Sequence, residues 1–180
     1  KSQGYAAAAA AAVGAILGMN LVDISEALSE YHSPRGRLKI LKGIKNSIVI
    51  DDTYNSSPSS THLALETLRD LPGKRRVAIL GDMLELGKYT IKAHQEAGNL
   101  AGSFVDLLVC VGARAKFIAD SAFNKMPAEN IHRFDTSDEA KLKVKELIKE
   151  GDLVLVKGSQ GMRMEKIVEE IMAEPDKKKD

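Results

Sequence analysis

Short apolar runs alternate with helix-length amphipathic stretches along most of this 180-residue chain, and that alternation restricts its fold more than any other feature. Leu38–Leu41 and Ile48–Ile50 read as strands joined by a turn at Lys42-Gly43. Val77–Leu80, Leu107–Val111, Ile131–Phe134 and Leu153–Val156 read as four more. Between and after them lie helical patterns at Ser59–Leu71, Thr90–Ala101, Ala113–Phe123, Ser137–Lys149 and Gly161–Met172. Ala64, Leu65, Leu68 and Leu71 form one inward stripe, and Pro72-Gly73 stops that helix. Ala140, Val144, Leu147 and Ile148 form another, as do Ile167, Val168 and Ile171. Strands separated by helices of this length require crossover connections. The expected fold is α/β and Rossmann-like, a mostly parallel sheet with helices on both faces.

Residues 1–34 break the pattern. Ala6–Ala12 is an alanine run of high helix propensity, ended by Gly18-Met19-Asn20. Asp23 is placed to cap a second helix through Tyr31, with Ile24, Ala27, Leu28 and Tyr31 on one face. Two helices without strands do not make a domain. They are expected to be the tail of a larger upstream domain, which makes the chain a fragment. Residues 35–173 are expected to be the α/β domain. Residues 174–180 are expected to be a disordered, solvated tail whose six charges cancel.

A formal charge of +1, no Trp and 4% aromatic residues give no basis for a nucleic-acid partner. The longest apolar stretch, Ala6–Leu17, falls short of the roughly 20 residues that a membrane span needs, so no membrane partner is expected. No secretory signal is recognisable. Cys110, within Leu107-Leu108-Val109-Cys110-Val111, is expected to be a buried, inert thiol. One cysteine cannot staple a fold, and a reducing cytoplasm fits.

Four strands end in polar or glycine-bearing motifs: Asp51-Asp52-Thr53-Tyr54-Asn55, Gly81-Asp82-Met83-Leu84-Glu85-Leu86-Gly87, Gly112-Ala113-Arg114 and Lys157-Gly158-Ser159-Gln160-Gly161. In a parallel sheet these lie along one edge and converge on a crevice, where open α/β sheets bind ligands. Asp51 and Asp52 are either capping acids or part of a site. Two adjacent carboxylates repel unless a cation or donor is near, which favours the site. Asp82 either bonds nearby backbone in a turn or faces a ligand. The Lys157–Gly161 segment resembles a glycine-rich anion cradle at a helix N-terminus, although it lacks the P-loop order. None of the four histidines forms an i, i+4 ligand pair. His94 is expected at the surface, with a position facing the crevice as the alternative. Met162 and Met164 are expected to pack helix against sheet.

The motifs Arg35-Gly36-Arg37-Leu38, Asp51–Asn55 with Pro58, and Gly81–Gly87 occur in a recognisable order. His94, Val156-Lys157-Gly158-Ser159 and Gly161-Met162-Arg163-Met164-Glu165-Lys166 complete the set, which spans nearly all of residues 35–170. On these motifs the chain resembles the C-terminal portion of a Mur ligase, in the branch that joins D-Ala-D-Ala to UDP-MurNAc-tripeptide. The resemblance implies an ATP- and Mg²⁺-dependent amide-bond ligase. In such an enzyme a peptide carboxylate is phosphorylated, an amine attacks the acyl phosphate, and phosphate leaves. It places the P-loop and the metal ligands in a central domain, and it names the N-terminal and central domains as partners of this one.

By position, the resemblance assigns Arg37 to the ATP phosphates and Asp52 to the ribose, with Tyr54 and Asn55 beside the nucleotide. Asn55, Ser56, Asp82, Lys157 and Ser159 fall to the amine substrate, and Arg37 with Lys157 to catalysis. Gln3 and Ala6 stand where the family usually has an asparagine pair that reaches adenine, and Gln160 where it has an arginine. A sibling Mur or folate-polyglutamate-type ligase is the nearest alternative. A receiver-like phosphoacceptor domain is the other, because Asp51, Asp52, Asp82 and Lys157 imitate its acidic pair, phosphoacceptor and lysine. In that reading the phosphoacceptor ends the third strand of a consecutively alternating run, and Asp82 comes too early in the order.

Overall fold

The computed structural model describes residues 2–173, without the side chains of Ser2 and Gln3. The expectations for the 174–180 tail and for the Gln3 side chain lie outside the described residues. The chain divides into two compact units between Ser33 and Pro34.

The first unit contains α1 (Ser2–Ile16) and α2 (Leu21–Ser29). Asn20, not Asp23, caps α2: its side-chain oxygen accepts the Val22 and Asp23 N–H groups at 2.9 and 3.0 Å. Asn20 has the extended backbone that a cap requires, whereas Asp23 lies in the first turn, where the helix dipole favours an acid. Of the expected inward face only Ile24 is buried, with Leu28 half-buried.

The second unit holds β1 (Lys39–Lys42), β2 (Ile48–Asp52), α3 (Pro58–Asp70), β3 (Arg76–Gly81), α4 (Thr90–Ala101) and β4 (Leu107–Val111). It continues through α5 (Lys116–Ala122), β5 (Ile131–Phe134), α6 (Ser137–Leu147), β6 (Leu153–Lys157) and α7 (Glu165–Ile171). The six strands form one sheet in the order β1-β2-β6-β3-β4-β5. Only the β1–β2 pair is antiparallel. These two strands join through Lys45 and Asn46, both at positive φ (52° and 51°), bracketed by a bond from Ser47 N–H to Ile44 O. This is the turn whose twist matches a hairpin. β1 starts one residue later than its apolar run, because Leu38 is left-handed (φ 52°) and outside the ladder.

Both faces of the central strands β3, β4 and β6 are buried, which is why they read as continuous apolar runs. Ile50, Ala78, Leu80, Leu108, Cys110 and Leu155 point into a core closed by α3, α4 and α5. Val49, Val77, Ile79, Val109, Val154 and Val156 point into a second core closed by α6 and α7. Burial pushes the Cys110 thiol up to about 12, so it is inert at neutral pH. Met164 is fully buried in the second core, and Met162 packs against it. No helix among the described residues is long and apolar enough to cross a membrane.

Helices α4 and α5 approach so closely that a Cβ on Gly98 would lie 2.1 Å from the Ile118 carbonyl oxygen, a backbone atom that cannot swing away. Gly98→Ala is therefore expected to cost about 1–3 kcal/mol or more, read as a lower urea midpoint at unchanged m-value. An unchanged midpoint would mean that the two helices separate freely.

Candidate functional site

Two neighbouring strands send their chain to opposite faces of the sheet. β2 and β6 pair in parallel, with Asp52 beside Lys157 at their C-terminal ends. After β2 the chain turns to α3 over the first core. After β6 it turns through Gln160–Met162 to α7 over the second. A crevice opens between such ends, and this is where doubly wound sheets bind ligands. β3 lies next to β6 on its other side and β4 next to β3, so the four motif-bearing strand ends follow one another along the sheet.

The two adjacent carboxylates face different partners. Asp51 is buried: Oδ2 accepts the Gly36 N–H at 2.9 Å, and Oδ1 accepts the Thr53 hydroxyl and N–H at 2.6 and 3.2 Å. It fastens the 34–37 loop to the strand end. Gly36 has φ +73°, and a Cβ there would lie 2.7 Å from the Tyr54 nitrogen, so only glycine suits the position. Asp52 accepts the Leu38 N–H at 3.1 Å on one oxygen and the Lys157 ammonium at 2.5 Å on the other. Lys157 also donates to the Asn55 carbonyl at 3.0 Å. At 2% exposure its ammonium faces the strand ends rather than open solvent.

Beyond Lys157 the glycine-rich segment does not lead straight into a helix. A short turn and a left-handed Arg163 (φ 53°) precede α7, whose first residue is the acidic Glu165. A Cβ at Gly158 would lie 2.6 Å from Met164 Cγ, and one at Gly81 would lie 2.9 Å from its sulfur. These glycines let the Met164 side chain cross over the strand ends. They do not open directly into the helix N-terminus that the sequence suggests.

The β3 loop is bound to its neighbours from several sides. Asp82, 2% exposed, accepts the Arg114 and Ala115 N–H groups at 3.0 and 2.7 Å, which fixes the loop after β4. The Arg114 guanidinium stands 3.5 Å from its other oxygen. Ser159 N–H donates to the Asp82 carbonyl at 3.1 Å, while its hydroxyl accepts the Leu84 N–H at 2.9 Å and donates to the Ser56 carbonyl at 3.4 Å.

His94 is not at the surface. It is wholly buried, with Nε2 accepting the Met83 N–H at 3.0 Å and Nδ1 bonded to the Thr90 carbonyl at 2.7 Å. Only the neutral tautomer carrying its hydrogen on Nδ1 satisfies both. Burial lowers its pKa from the ordinary 6.5; the Thr90 bond and Asp82 partly oppose this and Arg114 adds to it. The sequence signal for this is the small-residue stripe Ala97, Gly98 and Ala101, at helical spacing from His94, which marks its face as the inward one.

Arg37, Asp52, Tyr54, Asn55, Ser56 and Lys157 line one cleft of about 240 Å³. The Arg37 guanidinium stacks 4.1 Å over the half-exposed Tyr54 ring. Tyr54 also borders a second cleft of about 620 Å³, toward Arg35, Gln160 and Arg163. Asp82 and Ser159 lie behind the first cleft rather than on its surface. Among the described residues no three or more His, Cys, Asp or Glu side chains are gathered as a metal would need.

The sequence profile described as "Mur ligase, glutamate ligase domain" matches residues 36–160. The chain belongs to the Mur ligase family. It is 32% identical to the UDP-N-acetylmuramoyl-tripeptide–D-alanyl-D-alanine ligase of Bacillus subtilis over 171 residues, 94% of this chain and 37% of that one. It is 34% identical to the ligase of the same name from Rickettsia prowazekii over 155 residues, 86% and 34% of the two chains. The crystal structure of the MurF ligase from Thermotoga maritima, in complex with ADP, superposes with a TM-score of 0.72 at 26% identity, covering 88% of this chain and 35% of that one. The chain thus spans about a third of the length of these relatives.

In this Mur ligase domain the receiver-like alternative fails. A phosphoacceptor carboxylate must be open to its donor, whereas Asp82 is sealed between two backbone amides and Arg114.

The buried histidine gives this domain a pH-dependent stability. Because its pKa is lowered on folding, the unfolded chain takes up a proton first as pH falls. The stabilisation from neutral His94 is complete above about pH 6.5 and declines as pH drops toward the folded value, by up to about 1.4 kcal/mol per pH unit. Urea midpoints between pH 7.5 and 5.5 should therefore fall more steeply in the parent than in His94→Gln, and equal slopes would contradict this.

Proposed function

We propose that this chain is the C-terminal part of an ATP-dependent ligase that joins D-Ala-D-Ala to UDP-MurNAc-tripeptide in peptidoglycan precursor synthesis, working in the cytoplasm. In this reading residues 1–34 end the central ATPase domain and residues 35–173 form the domain that closes on it. The observation that carries the reading is that six residues assigned by family motif, from three separate stretches of sequence, line one cleft at the strand ends.

The cleft suits a nucleotide's ribose and phosphates. Asp52 uses one acceptor position on each oxygen, and a carboxylate offers about four, so lone pairs remain for a ribose hydroxyl. Arg37 reaches the cleft as a planar cation with five donors, a geometry that matches phosphate oxygens. Its stack on Tyr54 holds the guanidinium over the opening. ATP, when bound, supplies the phosphoryl group that activates the peptide carboxylate. Arg37 then stabilises negative charge developing on the transferred group. Lys157 acts through Asp52 and Asn55, which it holds in place, rather than by touching substrate. Tyr54 and Asn55 form the wall against which nucleotide and amine substrate meet. Magnesium, expected to be held by the central domain, would neutralise phosphate charge there.

These 180 residues alone are expected to release no ADP from ATP in the presence of both substrates. Joined to the preceding domains of a related ligase they should support product formation, which Arg37→Ala lowers by about 100-fold. Turnover by the isolated chain, or a joined enzyme indifferent to Arg37→Ala, would overturn the proposal.

A further inference from the structure

One buried side chain stands behind the whole β3 side of the crevice without lining it. The imidazole of His94 holds the Met83 N–H at the point where the chain leaves β3. From Met83 and its neighbour two routes lead to the same residue. The Met83 sulfur accepts the Thr61 hydroxyl at 3.4 Å, and Thr61 shares a 2.9 Å hydrogen bond with the Ser56 hydroxyl. The Leu84 N–H donates to the Ser159 hydroxyl, which donates in turn to the Ser56 carbonyl. Ser56 lines the cleft beside Asp52 and Lys157.

The loop so held contains a strained residue. Glu85 sits at φ +63°, a left-handed conformation that non-glycine residues adopt only when their surroundings impose it. Its neighbours Leu84 and Leu86 are half-buried on either side, and Gly87 is also at positive φ (52°). Immediately before it, the Met83 and Leu84 amides are each bonded to one side chain distant in sequence.

We propose that His94 is a positioning residue of this site: its neutral Nε2 sets the Met83-Leu84 backbone, which holds Ser159 and, through Ser159 and Thr61, Ser56 at the wall of the cleft. The imidazole accepts at Nε2 only while neutral. A proton there would place two N–H groups face to face, and the Met83 bond would break. The charged groups that face the ring are Asp82, which favours the proton, and Arg114, which opposes it. Thr90, on the helix that carries His94, contributes only its carbonyl. The ring is desolvated as well, so the bond persists through the neutral range and fails on the acid side of it. The functional weight of the idea rests on the ligase reading of the cleft, but its geometry is testable without nucleotide or substrate.

The test is a pH titration of the 180-residue chain followed by NMR, reading the amide resonances of Ser56, Met83, Leu84 and Ser159 with the His94 Cε1–H. In the parent the four amides should move together, with one midpoint below 6.5 that coincides with the titration of the ring. His94→Gln retains an acceptor and cannot be charged. It should keep the neutral-pH resonances near their parent positions and lose the acid-side movement at all four amides. A residue that merely filled space would leave those titrations unchanged in His94→Gln. Amides that stay still while the ring titrates, or that still titrate in His94→Gln, would overturn the proposal. If the variant does not fold, the coincidence of ring and amide midpoints in the parent decides the matter alone.

Discussion

The Asp52–Lys157 pair joins residues 105 positions apart, at the ends of the two strands whose connections part to opposite faces. A buried ammonium has a large desolvation cost, and in general its attraction to a carboxylate only roughly offsets that cost. Here the balance is improved by the Asn55 carbonyl and by the Leu38 N–H on the other oxygen of Asp52. Asp52 also keeps a partial view of solvent, at 14% side-chain exposure against 2% for Lys157, so only one member of the pair is fully desolvated. The pair thus defines a geometry more than it adds stability. It fixes where β2 ends against β6, and from that follow the turn of Asn55 and the placement of Ser56.

Around this pair the strand ends are bonded to one another rather than left for a ligand to organise. Asp51 ties in the 34–37 loop, Asp82 ties in the loop after β4, and Ser159 bridges the loops after β2 and β3. What remains outward is Arg37 on Tyr54, with the exposed Asn55 and the outer lone pairs of Asp52. Preorganisation of this kind lowers the ordering cost when a charged ligand arrives. It also divides the acidic residues by function: two of the three are structural, and the one that is paired but partly exposed faces the cleft.

Much of this was legible in the sequence, for identifiable reasons. Thr90–Ala101, Leu107–Val111 and Ile131–Phe134 have the expected bounds because their periodicity is cut off sharply at each end. The crevice was legible because polar motifs follow four apolar runs in one parallel sheet. The start of α7 was not: Gly161-Met162-Arg163 continues a helical pattern, but a short turn and the left-handed Arg163 delay the helix to Glu165, with Met164 packed over Gly81 and Gly158. The α2 cap was misplaced because Asn20 and Asp23 are both competent, and the choice depends on backbone angles. The burial of His94 is marked in the sequence only by the small residues Ala97, Gly98 and Ala101 on its own face. That Lys157 turns toward Asp52 depends on a register across the sheet that no local pattern encodes.

The central claim is that Asp52 and Lys157 act as one unit in holding the crevice together. A double-mutant cycle with Asp52→Ala and Lys157→Met, read as unfolding free energy in urea, measures that directly. The account predicts a coupling on the order of 2 kcal/mol, with Asp52→Ala the costlier single change because it leaves the more deeply buried charge unpaired. Losses that add to within about 0.5 kcal/mol would contradict it.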